Sequence, residues 1–256
     1  MNLTADNYYS REANQQYMSV SQFKSFLKCP AAALAELNGE YQREQTTALL
    51  VGSYVDAWFS NEIEQFTAEH PDIFKRDGAL KAEYVQAEQI IQRVSRDEMF
   101  MEYMSGEKQV IMTGQIEGVP VKIKVDSLLP DRIVDLKIMR DFEPIYDPDF
   151  CSRVPFWTAW KYDLQAAVYQ EIVRQNTGKQ LPFFLAAATK EKVTDYNIFQ
   201  IVQSDLDVAL QTVKDNIVRF DAIKNGLIEA DRCGECEYCR ETKKLTEVVK
   251  SDSILI

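Results

Sequence analysis

Between residues 119 and 126 apolar and polar positions alternate. Val119, Val121, Ile123 and Val125 are separated by Pro120, Lys122 and Lys124. A period of two marks a half-buried strand, and Asp126 ends it. Ser127 to Asp131, with Pro130 and Asp131, have the composition of a turn. Ile133 and Val134 open a second short strand that carries Asp135 and Lys137. These two lie at i and i+2 and therefore share a face. If the two strands pair as a hairpin, Asp126 joins them there. Residues 108 to 116 predict a strand before this pair, turned back by Glu117 and Gly118. Downstream, the continuous apolar run within Pro182 to Thr189 predicts a buried central strand, and Asn197 to Gln203 predict another.

A period near 3.6 organises the rest. Ser19 or Ser21 caps a helix carrying Phe23, Phe26 and Leu27. Pro30 suits the first turn of a second piece, Ala31 to Leu37. Thr46 to Ser60 predict a buried helix through Leu49, Leu50, Val51, Val55, Ala57, Trp58 and Phe59. Residues 79 to 104 predict one long amphipathic helix. Trp157 to Asn176 form another, with Lys161 one turn before Gln165 and Tyr169 one turn after it. Asp205 opens a helix through Lys224 that Gly226 ends. Residues 139 to 156, with Pro144, Pro148 and Pro155, form a long connection.

This order predicts a mixed α/β architecture, a mixed sheet with helices on both sides. It divides into a polar arm (1–18), one domain (19–245) and a tail (246–256). Within the domain, 19–106 are helical, 107–203 form the core, and 204–245 hold the last helix and a cysteine cluster.

Composition narrows the class. At 256 residues, 46% hydrophobic and 27% charged, the chain is ordinary globular protein. No apolar run reaches the length of a membrane span. Residues 1 to 17 lack the apolar centre of a secretory signal, so a cytoplasmic location is expected. The net charge of −11 argues against a general nucleic-acid binder. It leaves room for a local groove: Lys122, Lys124, Arg132, Lys137 and Arg140 make the hairpin locally basic, or else form a solvated strand face. The one histidine, His70, sits in a loop composition, against a Ser-His-Asp mechanism. No phosphate-cradling glycine loop is present, against ATP hydrolysis.

Two carboxylates and an ammonium on one rigid patch suit hydrolysis assisted by Mg²⁺ or Mn²⁺. A polar strand end with a surface ion pair has the same composition. The order Asp126, then Asp135-Leu136-Lys137, resembles the PD-(D/E)XK nuclease superfamily. Gln165 and Tyr169 resemble the Gln-x-x-x-Tyr element of RecB-type nucleases and phage exonucleases. From about Ser19 to Lys244 the chain resembles phage and prophage exonucleases of the exonuclease VIII (RecE-like) type.

The resemblance implies a restriction-endonuclease-like fold and a metal-dependent DNA exonuclease of phage-type recombination. In it Asp126, Asp135 and the Leu136 carbonyl bind Mg²⁺ or Mn²⁺. Lys137 orients or activates water, and Gln165 and Tyr169, with Lys161 nearby, hold the substrate strand. Implied partners are DNA, a phage single-strand annealing protein and further copies in a homo-oligomer, with no membrane partner. Where this family usually has Gly-x-x-x-His, the chain has Gly52 and Asp56. Asp56 is either a ligand for the hard cation or a polar residue with a partner on a core helix. Phe142, Tyr146, Phe150 and Phe156 in the long connection either stack on entering DNA or pack under the sheet.

Cys233, Cys236 and Cys239 have the spacing of metal or cluster ligands. Cys29 lies far upstream. Helicase-associated and CRISPR-adaptation nucleases likewise have one cysteine before the nuclease core and three after it, binding an iron–sulfur cluster. The last spacing here is shorter than theirs. A 4Fe–4S cluster, tetrahedral Zn²⁺ and a cysteine-rich turn binding nothing all remain open. Cys151 is expected to be a free thiol. Two other functions stay in view: a catalytically degenerate nuclease-fold module that binds DNA or a recombination partner, and a CRISPR-adaptation-like iron–sulfur nuclease.

Overall fold

The computed structural model describes residues 1–44, 46–148, 150–245 and 248. Apart from Val248, the expected tail 246–256 lies outside the described residues. The chain begins with α1 (Arg11–Gln16), α2 (Val20–Lys28), α3 (Pro30–Asn38), α4 (Thr47–Phe59) and α5 (Ile63–Glu69). After α6 (Ala82–Val94) and α7 (Glu98–Tyr103) come β1 (Glu107–Ile116), β2 (Val119–Leu129) and β3 (Arg132–Met139). A small hairpin follows, β4 (Ile145–Asp147) and β5 (Ser152–Val154). Then come α8 (Phe156–Ala159), α9 (Tyr162–Thr177), β6 (Phe183–Thr189), β7 (Tyr196–Ile201), α10 (Gln203–Lys224) and α11 (Glu237–Glu241).

One five-stranded sheet runs in the order β1-β2-β3-β6-β7. Only β3 and β6 pair in parallel, and α8 and α9 lie in their connection. Side-chain alternation sends β3 into two cores. Ile133 joins Val121, Ile123, Val125, Phe183 and Leu185 against α2, α9 and α10. Val134 and Leu136 join Ala186 and Ala188 against α4, α6 and α7. The small side chains of β6 let helices approach the centre of the sheet. The mixed sheet with helices on both faces is the architecture the hydrophobic pattern predicts. No helix among the described residues is long and apolar enough to cross a membrane.

Several local expectations give way to tertiary contacts. β2 runs past Asp126 to Leu129, because Ser127 and Leu128 are paired on both sides, with β1 and with β3. That leaves Pro130 and Asp131 as the turn. The expected helix over 79–104 is two helices, and Asp97 caps the second by accepting a hydrogen bond from the Phe100 N–H at 2.8 Å. The helix expected from Trp157 breaks at Lys161, whose φ of 54° is left-handed. Leu49, expected in the core, is exposed.

The polar arm, residues 1–18, is docked on the domain. Tyr8, Ala13 and Met18 are buried. Met18 bridges to Val121 in parallel: its N–H donates to the Pro120 carbonyl at 2.8 Å, and its carbonyl accepts from the Lys122 N–H at 3.1 Å. Lys122, one of the alternating polar residues, is 1% exposed. Its ammonium donates to the Tyr8 carbonyl and to Asn14 Oδ1, and lies over the Tyr8 ring. The reading of this lysine as part of a solvated face is therefore corrected, since the arm covers it. In the long connection, Phe142 and Phe156 stack at 5.5 Å and both meet Phe199. Tyr146 and Phe150 are exposed.

Candidate active site

The site grows from a fork between β2 and β3. Their ladder stops at Ser127 paired with Val134, and beyond it the strands part. Two substitutes fill the vacated edges. Met18 occupies the free edge of β2, and the Asp126 carboxylate accepts the Leu136 N–H at 2.9 Å. A residue's N–H and C=O point to the same side of a strand, so the Leu136 carbonyl also faces the fork.

Asp126, Asp135 and Lys137 meet there. Asp135 is almost fully buried. Its Oδ1 accepts a hydrogen bond from Gln165 Nε2 at 2.6 Å. Its Oδ2 is ion-paired with the Lys137 ammonium. From α4, Asp56 enters the same open cavity of about 540 Å³. Gln109 Nε2 stands 3.4 Å from Asp56 Oδ1 and 2.8 Å from Ser60 Oγ.

The electrostatics are those of crowded anions. Burial, then the neighbouring Asp135 and Asp56, push the Asp126 carboxyl well above the usual range, while Lys137 and the Leu136 N–H oppose this. Burial also raises Asp56, with Lys124 and Lys137 opposing and Asp135 adding. For Lys137, burial disfavours the charge, but Asp135 and Asp126 outweigh it and hold the ammonium above the ordinary lysine range. Three carboxylates around one cavity fit a hard divalent cation that would relieve their repulsion.

The other expected residues divide. Gln165 and Tyr169 both line the cavity, and each has a partner within the protein. The Tyr169 hydroxyl donates to the Lys124 carbonyl at 3.0 Å, and the ring is buried. That hydroxyl therefore ties α9 to β2 rather than lying free for a substrate strand. Lys161 is not on the cavity wall. Its neighbour Tyr162 lines the cavity instead.

Lys24, Gln109 and Tyr9 also line the wall, and none carries a local signal in the sequence. Lys24 reaches in from α2, donates to the Trp160 carbonyl at 3.2 Å and lies 5.0 Å from the Tyr162 ring centre. Burial, then like charge from Lys137, lower it to about 7, with Asp135 opposing. Lys137 lies 5.1 Å from the same ring. Gln109 has a φ of 51° and sits opposite Asp126, where the β1–β2 ladder skips a pair. Non-glycine residues in that region are uncommon and cluster at functional sites. Tyr9 stands at the rim, 68% exposed, edge-on to Tyr8 and 4.9 Å from the Lys124 ammonium.

Away from the cavity, Cys29, Cys233, Cys236 and Cys239 converge, with ligand atoms all within 4.8 Å of one another. This group could hold a metal ion. Cys151 is an exposed free thiol elsewhere.

Residues 19–242 match the family described as PDDEXK-like domain of unknown function (DUF3799). The crystal structure of a Eubacterium rectale protein named "Putative exonuclease" is similar to this one with a TM-score of 0.93. The two chains are 47% identical, over 98% of this chain and 97% of that one. No curated protein matches this chain.

Proposed function

Since the chain belongs to the PDDEXK-like family, we propose that it is a Mg²⁺- or Mn²⁺-dependent deoxyribonuclease, an exonuclease of the RecE-like phage recombination type. The observation that carries this reading is the fork, where Asp126, Asp135 and Lys137 converge around the Leu136 backbone. The similarity to the Eubacterium rectale protein supports it. On this reading the protein is cytoplasmic and its substrate is linear DNA. A phage single-strand annealing protein is its working partner, and copies of the chain form an oligomer.

Asp126, Asp135 and the Leu136 carbonyl would hold the cation, with Asp56 as a further carboxylate in place of the family's histidine. A divalent cation there supplies Lewis acidity toward the scissile phosphodiester. In the reaction, water adds to phosphorus and loses a proton to solvent, the P–O bond to the leaving sugar breaks, and the leaving oxygen takes a proton from solvent. Lys137, held charged by Asp135 and Asp126, is a poor base at neutral pH. Its ammonium instead donates hydrogen bonds that orient the water and stabilise charge growing on the phosphate oxygens. Gln165 fixes the Asp135 carboxylate. Tyr169 fixes the β2 backbone beside Asp126.

Digestion of linear and closed-circular DNA with Mg²⁺, Mn²⁺ or EDTA, beside Lys137→Ala, tests the proposal. Metal-dependent loss of linear DNA alone, absent in the variant, is the expected result. Cleavage of the circle would make the enzyme an endonuclease. No cleavage by folded protein with either metal would leave a nuclease-fold binding module.

A further inference from the structure

We propose that Cys29, Cys233, Cys236 and Cys239 form a tetrahedral site for one thiolate-bound metal ion, Zn²⁺ in chemical class, rather than for a 4Fe–4S cluster. The ion's work is structural. It fixes the C-terminal segment from Asp231 to Thr242 onto the corner between α2 and α3.

Spacing decides the number of metal atoms. Cys29 Sγ lies 3.6 Å from Cys239 Sγ, and Cys233 Sγ lies 3.9 Å from Cys239 Sγ. All four sulfurs lie within 4.8 Å of one another. Ligands sharing one tetrahedral ion at a metal–sulfur distance of about 2.3 Å stand about 3.8 Å apart. In a 4Fe–4S cluster each thiolate binds a different iron, and the iron–sulfide core lies between them. That core would force the four sulfurs well beyond the separations seen here. The site does not fit the cluster, and it fits one ion.

The surroundings suit such a site. Cys29 and Cys239 are buried, Cys236 is half-buried and Cys233 is exposed, which leaves an entry side. The Cys236 N–H donates to Cys233 Sγ at 3.3 Å, a bond that favours thiolate. Cys29 sits at the α2–α3 junction in extended conformation, and the Ala31 N–H just after it donates to the Asp231 carbonyl at 3.0 Å.

Besides the cysteines, the segment is held by an ion pair from Arg219 to Asp231 and by Tyr41, whose hydroxyl donates to Glu237 and whose ring meets Tyr238. α11 is five residues long. Among the described residues the local buried cluster is Cys29, Ala31, Ala32 and Cys239, with Ala230, Cys236 and Tyr238 packed against it. Two of its four members are ligands, so the apolar area available is small and metal binding would supply folding free energy directly. The ion also seats the end of α2, whose Lys24 reaches the candidate active site. The proposal itself rests on the cysteines alone and stands whether or not the chain cleaves DNA.

The test uses the full chain, expressed with both zinc and iron supplied and purified under reducing, anaerobic conditions. Metal content, acid-labile sulfide and visible absorbance are measured, and Co²⁺ is exchanged into the site. One ion per chain, no labile sulfide, no iron–sulfur absorbance and a tetrahedral thiolate Co²⁺ spectrum are expected. Stripping the ion should lower the melting temperature by on the order of 5 °C or more. Cys233→Ser, an exposed ligand whose loss leaves the core intact, should lose the ion and show the same shift without stripping. Iron and sulfide at four each per chain would overturn the proposal. So would metal-free protein whose melting temperature neither metal addition nor Cys233→Ser changes.

Discussion

Gln165 Nε2 donates to Asp135 Oδ1 across 2.6 Å, so α9 holds one oxygen of the carboxylate whose other oxygen faces Lys137. A side chain four residues before a buried tyrosine thus becomes an orienting group. It fixes the rotamer of Asp135 and leaves Oδ2 as the oxygen available to a cation. Hydrogen bonds to a ligating carboxylate tune it much as outer partners tune other metal ligands.

Removing that bond while keeping the bulk isolates its effect. Gln165→Leu should weaken Mn²⁺ binding by about 10–100-fold. The rise in melting temperature with Mn²⁺ concentration reports this without any cleavage assay. An unchanged midpoint would show that Gln165 does not orient Asp135 for a metal.

Asp126→Asn should have opposite effects on stability and activity. The folded state holds the Asp126 proton more tightly than the unfolded chain, whose carboxyl titrates near 4. Stability therefore falls as pH rises from about 4 toward the folded-state pKa, and a penalty remains at neutral pH. The amide removes it and still offers an acceptor to the Leu136 N–H. We expect a higher melting temperature without metal, no gain on adding metal, and cleavage reduced by on the order of 10²–10³-fold or more. Calorimetry at neutral pH, with and without Mn²⁺, checks the pair.

Lys122 is pulled down to about 8 by burial. Above that pH the folded protein has released a proton that the unfolded chain keeps until about 10.4. Stability should therefore rise with pH between about 8 and 10. Lys224, brought to about 8, and Lys24, brought to about 7, act in the same direction. Lys122→Met should make that slope shallower in urea denaturation at several pH values. An identical slope would mean that the ammonium under the arm does not titrate in this window.

Tyr9 is exposed on the rim, braced by Tyr8 and flanked by Lys124. If a nucleotide beside the scissile bond stacks there, Tyr9→Ala should weaken oligonucleotide binding by roughly 5- to 100-fold, the range of one base–aromatic stack. Tyr9→Trp should retain binding. Fluorescence anisotropy in Ca²⁺, in a Lys137→Ala background, separates binding from turnover, and equal affinities for all forms would remove Tyr9 from the binding surface.

A Cβ at Gly106 would come within 2.6 Å of the Leu128 carbonyl group and 2.8 Å of Ser127 Oγ. Both neighbours belong to the doubly paired end of β2. Gly106→Ala should cost about 1–3 kcal/mol, measured by urea denaturation, and a neutral result would show that this strand end yields readily.

The hairpin was legible because alternation, a turn composition and an acid-x-Lys triplet coincide within twenty residues. The buried run of β6 and the convergent cysteine spacing were legible for similar reasons. What escaped depends on contacts between distant parts of the chain. Lys122 alternates with valines and reads as solvent-facing until Tyr8 and Asn14, more than a hundred residues earlier, cover it. Lys24 lies between two core phenylalanines, and nothing local says that its long side chain reaches across to Trp160. The breaks at Asp97 and Lys161 interrupt helices whose apolar period continues through them. Gln109 sits in an ordinary strand pattern, and its left-handed backbone falls where the β1–β2 ladder skips a pair opposite Asp126.

The β4–β5 hairpin forms a small two-stranded sheet of its own outside the main sheet. It interrupts the crossover from β3 to β6, and the aromatic cluster of Phe142, Phe156 and Phe199 anchors its base. Its outer end, with Tyr146 and Phe150, stands in solvent. Such an appendage is a natural grafting point. An affinity tag or a second domain inserted there should leave the strand register and the fork untouched, since the hairpin pairs with no strand of the main sheet.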